Sequence, residues 1–391
     1  MQATCDLCAR ETLEFVYAPQ GGRRGLEVFL CSHCGLVQSL PRIDRAEGRA
    51  PAAVSSGADW GNVRYGKGFR TAIALEALGR HTDLSRELTL LDVGSNRGSF
   101  TRAFLIAAKN AAVTAVEPDE RFAQSCGALE RTTLINARIE DAVLEDESFD
   151  IIHSCHTIEH LAHPAKVLAD HARTLRPGGL LVLDAPNIAL IGSEDILEEW
   201  FIDKHLYHFS QATLTQMIEA AGFSILEAPD SRDRINLLFV ARRNEAPRRA
   251  PSGDPGEVAA AQELMARYEY LRAENLAALE DVTRELAALS PRRIAIWGAG
   301  RLFDSLVMHG GFDPAGLSLL IDKHLKQHTK TRHGRDLSGP EALSDAAADV
   351  VVVMSRGFAD EILAEAQALA PRAEIIFYSD LLARARRKKA A

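Results

Sequence analysis

Long apolar runs are missing from this chain. No uninterrupted stretch reaches the roughly 18 residues that a membrane-spanning helix needs. The opening MQATCDLCAR also lacks the charged-then-apolar order of a secretory signal, so a cytosolic location is expected, with no membrane partner. Cysteine is scarce, six in 391 residues, and in a reducing compartment such residues stay thiols rather than forming a disulfide framework. Positive charge is in deficit: 45 Lys and Arg against 54 Asp and Glu leave a net charge of −9, which argues against nucleic acid as the main partner. What is present is ordinary for a folded protein, 47% hydrophobic and 25% charged residues, which excludes wholesale disorder and fibrous repeats. At roughly 150 residues per domain the length suggests two or three domains.

Four of the six cysteines stand as Cys5-x2-Cys8 and Cys31-x2-Cys34, two CxxC pairs with 22 residues between them. Each pair can present two thiolates to one edge of a tetrahedral ion. Gly35 follows the second pair, where a tight backbone turn under a metal favours glycine. The spacing predicts a Zn2+ site. Four thiolates close the coordination sphere, so the zinc would be structural, supplying folding energy to a segment too small for its own core.

From Glu87 the chain reads ELTLLDVGSNRGSFTRAFLIAAKNAAVTAVEP. This predicts a buried strand over 88–93, a glycine-bearing turn, a helix over 99–109, and a second strand over 112–116 that stops at Glu117. Gly94 and Gly98 let backbone approach a ligand at a helix N-terminus. Glu117, 23 residues after Gly94, can accept two hydrogen bonds from a ribose diol. Farther on, SFDIIHSCHTIEHLAHPAKVLADHARTLRPGGLLVLDAPN predicts a strand over 149–155, a helix, a turn at 177–179 and a strand over 180–184.

This order resembles the class I S-adenosylmethionine (SAM) methyltransferases: an acid-x-Gly loop after strand one, an acid after strand two, an FD strand followed by EH, and RPGG before strand five. The resemblance covers roughly residues 60 to 240. It implies SAM as cofactor, with Asp92, Gly94, Asn96, Gly98 and Glu117 in the donor site and Cys155 and His156 lining the methyl-donor pocket. The Gly94-Ser95-Asn96-Arg97-Gly98 loop is similar to that of the sugar C-methyltransferases, which also carry an N-terminal four-cysteine zinc module and a C-terminal α/β domain. That subfamily implies a small-molecule acceptor, a nucleotide-linked deoxy keto-sugar methylated on carbon. The chain departs from it at Arg97, Ile202 and Lys204, and no glycine-rich sugar-nucleotide loop stands in SRDRINLLF. O- or N-methylation of another small metabolite is the alternative, and a non-catalytic methyltransferase-like scaffold is a second.

Methyl transfer is an in-line displacement at a sulfonium carbon, so the enzyme must align a nucleophile and remove its proton. By the resemblance, His160 and His205 line the site and His205 is the favoured base; Lys204, which departs from the family, could stabilise an oxyanion or contact a phosphate. Read from the residues, His205 in HLYHFS is a base or a packing histidine ahead of a helix. The resemblance implies that Tyr65 lies over the donor or acceptor; read from the residues it is a buried aromatic on an entry helix. His156, His160 and His163 at helical spacing look like a metal set, but the EH stretch reads better as pocket and structure.

The expected fold class is α/β: a Rossmann-like class I methyltransferase core with an N-terminal zinc-ribbon module and a smaller C-terminal α/β domain. The boundaries are 1–50 for the zinc module, 60–243 for the methyltransferase domain, 244–256 for a Pro- and Gly-rich linker, 257–290 for a long helix and 291–383 for the C-terminal domain. In the last, strand 292–297 leads into Gly298-Ala299-Gly300, but Phe303 replaces the third glycine of a dinucleotide loop. Lys323, Lys326, Lys330 and Arg332 could meet acceptor phosphates or form a solvated basic loop.

Overall fold

The computed structural model describes residues 4–19, 25–42, 67–202, 205–230, 235–244, 250–327, 329–346 and 348–390. They fall into two compact units, one built from the described residues of 1–51, 67–190 and 201–265, the other from 191–200 and 266 onward. No described helix is long and apolar enough to cross a membrane.

The first unit opens with β1 (Leu13–Tyr17), β2 (Glu27–Cys31) and β3 (Val37–Leu40), an antiparallel meander. There follow α1 (Lys67–Gly79), β4 (Thr89–Val93), α2 (Ser99–Ala107), β5 (Ala112–Val116), α3 (Glu120–Gly127) and β6 (Thr132–Ile135). After β7 (Phe149–Cys155) the chain makes one 3-10 turn, Ile158–His160, then α4 (Pro164–Thr174) and β8 (Leu175–Pro186). Beyond residue 200 come β9 (Tyr207–His208), α5 (Gln211–Ala220), β10 (Phe223–Glu227) and β11 (Asn236–Arg243).

The main sheet runs β10-β11-β8-β7-β4-β5-β6, parallel from β8 through β6, with β11 antiparallel to both neighbours. Helices cover both faces of a parallel sheet, so its central strands carry near-continuous apolar residues. Leu90, Leu91, Val93, Ile151, Ile152 and Val182 are all buried accordingly. This is the expected Rossmann-like α/β core. The helix expected to run to 109 ends at Ala107, where Ala108 leaves helical geometry at φ −110° and ψ 83°. The RPGG turn is a bulge inside β8, the pairing with β7 shifting between Phe149 and Ile151.

The cysteine module is joined to this core rather than tethered to it. Its sheet reads β1-β2-β3-β9, so the fourth strand comes from the methyltransferase part of the chain. Cys5, Cys31, Cys34 and Leu36 share one buried cluster with Ile158, Leu161, Leu206, Tyr207 and Phe209.

The residues expected as a linker are partly built in. Gly253 packs on the His33 ring, and the Asp254 N–H donates to the His33 carbonyl at 2.9 Å. Asp254 also accepts the Glu257 N–H at 2.9 Å, so Asp-Pro starts a helix, α6 (Pro255–Ala287), two residues before the expected position.

The second unit holds β12 (Ile294–Trp297), α7 (Arg301–Gly310), β13 (Leu319–Ile321), β14 (Thr331–Arg332), β15 (Arg335–Ser338), α8 (Ala342–Asp345), β16 (Val350–Val353), α9 (Ala359–Leu369), β17 (Glu374–Phe377) and α10 (Tyr378–Ala390). Its sheet order is β14-β15-β13-β12-β16-β17. Gly298 is required after β12: φ is +114°, and a Cβ there would lie 2.3 Å from the Met354 carbonyl oxygen. The segment 191–200 belongs to this unit, with Leu197 in its core.

Candidate active site

The turn after β4 is a left-handed one. Gly94, Asn96 and Gly98 have φ of 68°, 50° and 75°, a region that costs little for glycine and is tolerated by asparagine. Gly94 has a second reason to be glycine, since a Cβ would lie 2.2 Å from Thr157 Oγ1. Gly94 and Ser95 donate their N–H groups to the Val116 carbonyl at 2.9 and 3.1 Å.

Glu117 closes the arrangement. Its Oε2 accepts the Asn96 N–H at 2.8 Å and its Oε1 the Asp119 N–H at 2.9 Å, with the side chain buried. The glycine turn and the acid after the second parallel strand are therefore in direct contact, at the carboxyl ends of adjacent strands, where open α/β sheets hold ligands. Asp92 lies below them. Its carboxylate takes the Thr101 hydroxyl at 2.5 Å and faces His153 Nδ1 at 2.8 Å, and the His153 ring stacks on Phe100 at 3.4 Å. Asp92 thus ties the first turn of α2 to β7.

The end of β7 carries the other half. His156 sits at φ +51°, an uncommon conformation outside glycine that concentrates at functional sites. Its N–H donates to the Asp184 carbonyl at 2.7 Å, and its Nε2 lies 3.3 Å from Asn236 Oδ1. The kink turns the chain into the 3-10 helix that presents Glu159 and His160. Glu159 is 1% exposed, and one of its oxygens lies 3.6 Å from both His156 Nδ1 and His160 Nε2. Cys155 Sγ lies 3.7 Å from the Asp184 carboxylate, which is ion-paired with Arg70 of α1.

His205 arrives from far along the chain. The Leu206 N–H donates to the Glu159 carbonyl at 2.8 Å, and the Leu206 carbonyl accepts from the Ser39 N–H at 2.8 Å. These two bonds seat the His205 ring edge-on to His160, centroids 4.8 Å apart. His205 is 8% exposed. His163, of the helically spaced histidines, lies elsewhere: its Nδ1 is 3.3 Å from Asp6 and from Arg42. Tyr65 and Lys204 lie outside the described residues. Arg70 and Asp184 carried no distinguishing signal in the sequence, because an arginine on an amphipathic helix and an acid at a strand end are commonplace.

In the cysteine module the sulfurs of Cys5 and Cys34, and of Cys8 and Cys31, are 3.6 Å apart, and all four lie within 4.8 Å of one another. A tetrahedron with metal–sulfur bonds of about 2.3 Å has edges of about 3.8 Å, so the quartet fits one ion. Hydrogen bonding to Cys31 and burial push the Cys5 thiol up to about 12, while hydrogen bonds from Cys34 and Cys5 hold Cys31 well below the usual thiol range. Four crowded thiols do not ionise together without a cation.

In the second unit the loop–acid pairing recurs. The Ala299 N–H donates to Asp322 Oδ2 at 3.0 Å, and Asp322 Oδ1 accepts from His324 and Leu325 at 3.2 and 2.8 Å. Lys323, Lys326 and Arg332 of the basic loop face Glu365, Glu341 and Asp304, so these three charges are already paired.

Comparison with known proteins places part of the chain beside methyltransferase domains. Residues 67–228 match the family model of methyltransferase domains. An "Uncharacterized methyltransferase" of Mycolicibacterium vanbaalenii is 40% identical over 99 residues, 25% of this chain and 38% of that protein. A "Probable S-adenosylmethionine-dependent methyltransferase" of Mycolicibacterium smegmatis is 30% identical over 96 residues, 24% and 36% of the two chains. The chain thus spans well under half the length of these relatives. Among solved structures, an S-adenosylmethionine-dependent methyltransferase from Mesorhizobium loti aligns at 17% identity and TM-score 0.37, covering 43% of this chain and 96% of that one. One from Aquifex aeolicus aligns at 16% and 0.36, covering 44% and 89%.

Proposed function

We propose that the chain is a SAM-dependent methyltransferase acting in the cytosol on a small-molecule acceptor. The observation that carries the reading is the bond between the Asn96 N–H and Glu117, which sets a glycine turn and a ribose-binding acid around one space. In that reading Asp92, Gly94, Asn96 and Gly98 belong to the loop that holds the methionine end of SAM, and Glu117 holds the ribose. Cys155 and His156 line the donor pocket.

The reaction breaks the bond from sulfur to the methyl carbon and forms a bond from that carbon to the acceptor. The sulfonium becomes a neutral thioether and the acceptor gives up a proton. Bound SAM supplies the electrophilic methyl group, and the chain's own residues align the acceptor and take the proton. His205, beside His160, is the group proposed to take it, with Lys204 and Tyr65 as acceptor contacts. The three-part organisation supports carbon of a nucleotide-linked deoxy keto-sugar as the acceptor, and O- or N-methylation of another small metabolite is the alternative. Cys5, Cys8, Cys31 and Cys34 are proposed to hold a structural Zn2+, the sulfur spacing being the support.

Labelled SAM with a panel of thymidine-diphosphate keto-sugars tests the acceptor: label should pass to one of them, and transfer to none would move the reading to O- or N-methylation. Calorimetric titration tests the class, since a chain that binds neither SAM nor its demethylated product is not this enzyme. His205→Gln should lower turnover at least about a hundredfold with SAM affinity kept.

A further inference from the structure

We propose that the second cysteine knuckle, residues 31–35, is a metal-dependent clamp on the start of α6, so that occupancy of the Cys5, Cys8, Cys31 and Cys34 site decides whether residues 253–258 are ordered. The knuckle is the turn between β2 and β3, and three separate contacts tie it to that stretch, all within the first unit. Gly253 lies so close on the His33 ring that a Cβ there would come 2.7 Å from Cε1. The Asp254 N–H donates to the His33 carbonyl at 2.9 Å. Gly35, at φ +79°, has Glu257 against it: a Cβ would lie 2.5 Å from Glu257 Cγ and 3.1 Å from its carbonyl carbon. Knuckle and helix therefore meet with no room for a side chain on Gly35.

The contacts fall where a helix is weakest. Its first turn has backbone N–H groups with no partner in the helix, and starting a helix costs free energy that only later turns recover. Asp254 supplies the missing partners: its Oδ1 accepts the Glu257 N–H at 2.9 Å and its carbonyl the Val258 N–H at 3.0 Å. Asp254 is itself placed by the bond to His33. Fixing the knuckle thus fixes the cap, and the cap fixes the first turn.

The knuckle turn is closed by the Gly35 N–H on the Cys31 carbonyl at 3.0 Å and by the Cys31 N–H on the Leu36 carbonyl at 2.9 Å. Cys31 and Cys34 stand inside it. As thiolates without a cation they repel and the turn opens; held on one cation they keep it shut. The clamp also extends beyond α6. Glu257 Oε1 accepts the Ser210 hydroxyl at 2.5 Å, and Ser210 caps α5 two residues after His208. Such coupling is reciprocal: what an occupied knuckle gives to the helix start, the helix start returns as affinity for the ion. The inference rests on the reading of the quartet as a Zn2+ site and is independent of the methyl acceptor.

The test takes the full chain with the metal it carries. Elemental analysis establishes the zinc, and hydrogen-exchange mass spectrometry then follows the protein before and after zinc removal with EDTA. Removal should speed exchange of the 254, 257 and 258 amides at least about tenfold while β4 and β5 keep their protection. The reverse arm measures zinc loss to pyridylazoresorcinol from Glu257→Ala, which leaves every cysteine in place. Release should be at least about fivefold faster than from the native protein. The first arm needs no variant to fold. A chain that carries no zinc overturns the quartet reading and the clamp with it. With zinc present, unchanged exchange at 254–258 on its removal, protection lost throughout the first unit, or equal release from variant and native protein overturns the clamp alone.

Discussion

The hydroxyl of Ser39 and Nε2 of His208 lie 2.9 Å apart in a buried contact between β3 of the cysteine module and β9 of the methyltransferase chain. Three residues before His208 stands His205. The module thus serves as the platform on which the candidate acceptor side of the site is fastened.

Cys8→Ser, or prolonged chelation, is expected to lower the melting temperature by at least about 5 °C if the module draws its folding energy from the proposed Zn2+. It should also speed amide exchange at residues 205–208. Thermal melts check the first half of the claim and hydrogen-exchange mass spectrometry the second. Metal loss with unchanged protection of that segment would show that β9 holds without the module.

Gly94→Ala should weaken binding of the demethylated SAM product at least about tenfold and cost roughly 1–3 kcal/mol of stability, from the left-handed φ together with the clash on Thr157 Oγ1. Pairing it with Thr157→Ala, which removes the struck hydroxyl, should recover part of the stability and little of the binding. Calorimetry and thermal melts separate the two.

These two residues also mark what the sequence discloses and what it hides. The turn at 94–98 and the acid at 117 are legible because glycine, strand and acid follow one another within a single βαβ unit. The contacts of Ser39 with His208 and of Glu159 with Leu206 are not, because β9 is two residues long and its partners lie about 50 to 170 positions away in sequence. Periodicity carries no information about such pairings. The same holds for Asp254, whose cap on α6 was hidden in a stretch that reads as linker.

Acid should destabilise the first unit through its buried histidines. Burial lowers His171 to about 4 and His208 to about 3, against about 6.5 in the unfolded chain. Between these values the unfolded state binds more protons, so stability is fully present above about pH 6.5 and falls as pH drops toward 4 and then 3. The stability gap between native protein and His171→Leu should narrow over pH 6.5 to 4. A gap that stays constant in melts across that range would remove His171 from the account.

Arg356→Ala should cost the second unit about 3–5 kcal/mol. Its guanidinium bonds Asp195 at 3.1 Å and Glu198 at 3.0 Å, and Tyr378 donates to Asp195 as well. Burial opposes ionisation of Glu198, yet Arg356 and Arg301 hold its carboxyl down to about 2. Without Arg356 two sequestered carboxylates face each other with less cation between them. Adding Asp195→Asn and Glu198→Gln to the arginine variant should restore much of the loss in denaturant titrations, and no recovery would point to packing instead.

The order in which a ribosome delivers this chain gives β9 another significance. Residues 4–42 emerge before the rest of the first unit, yet the sheet they begin has its last strand at residues 207–208, so β3 waits with a bare edge until about 165 further residues have been made. An open strand edge invites pairing with other chains. Fragments cut anywhere between the module and residue 208 should therefore be sticky, and a soluble, well-behaved methyltransferase domain is to be sought by keeping the first forty residues rather than trimming them away.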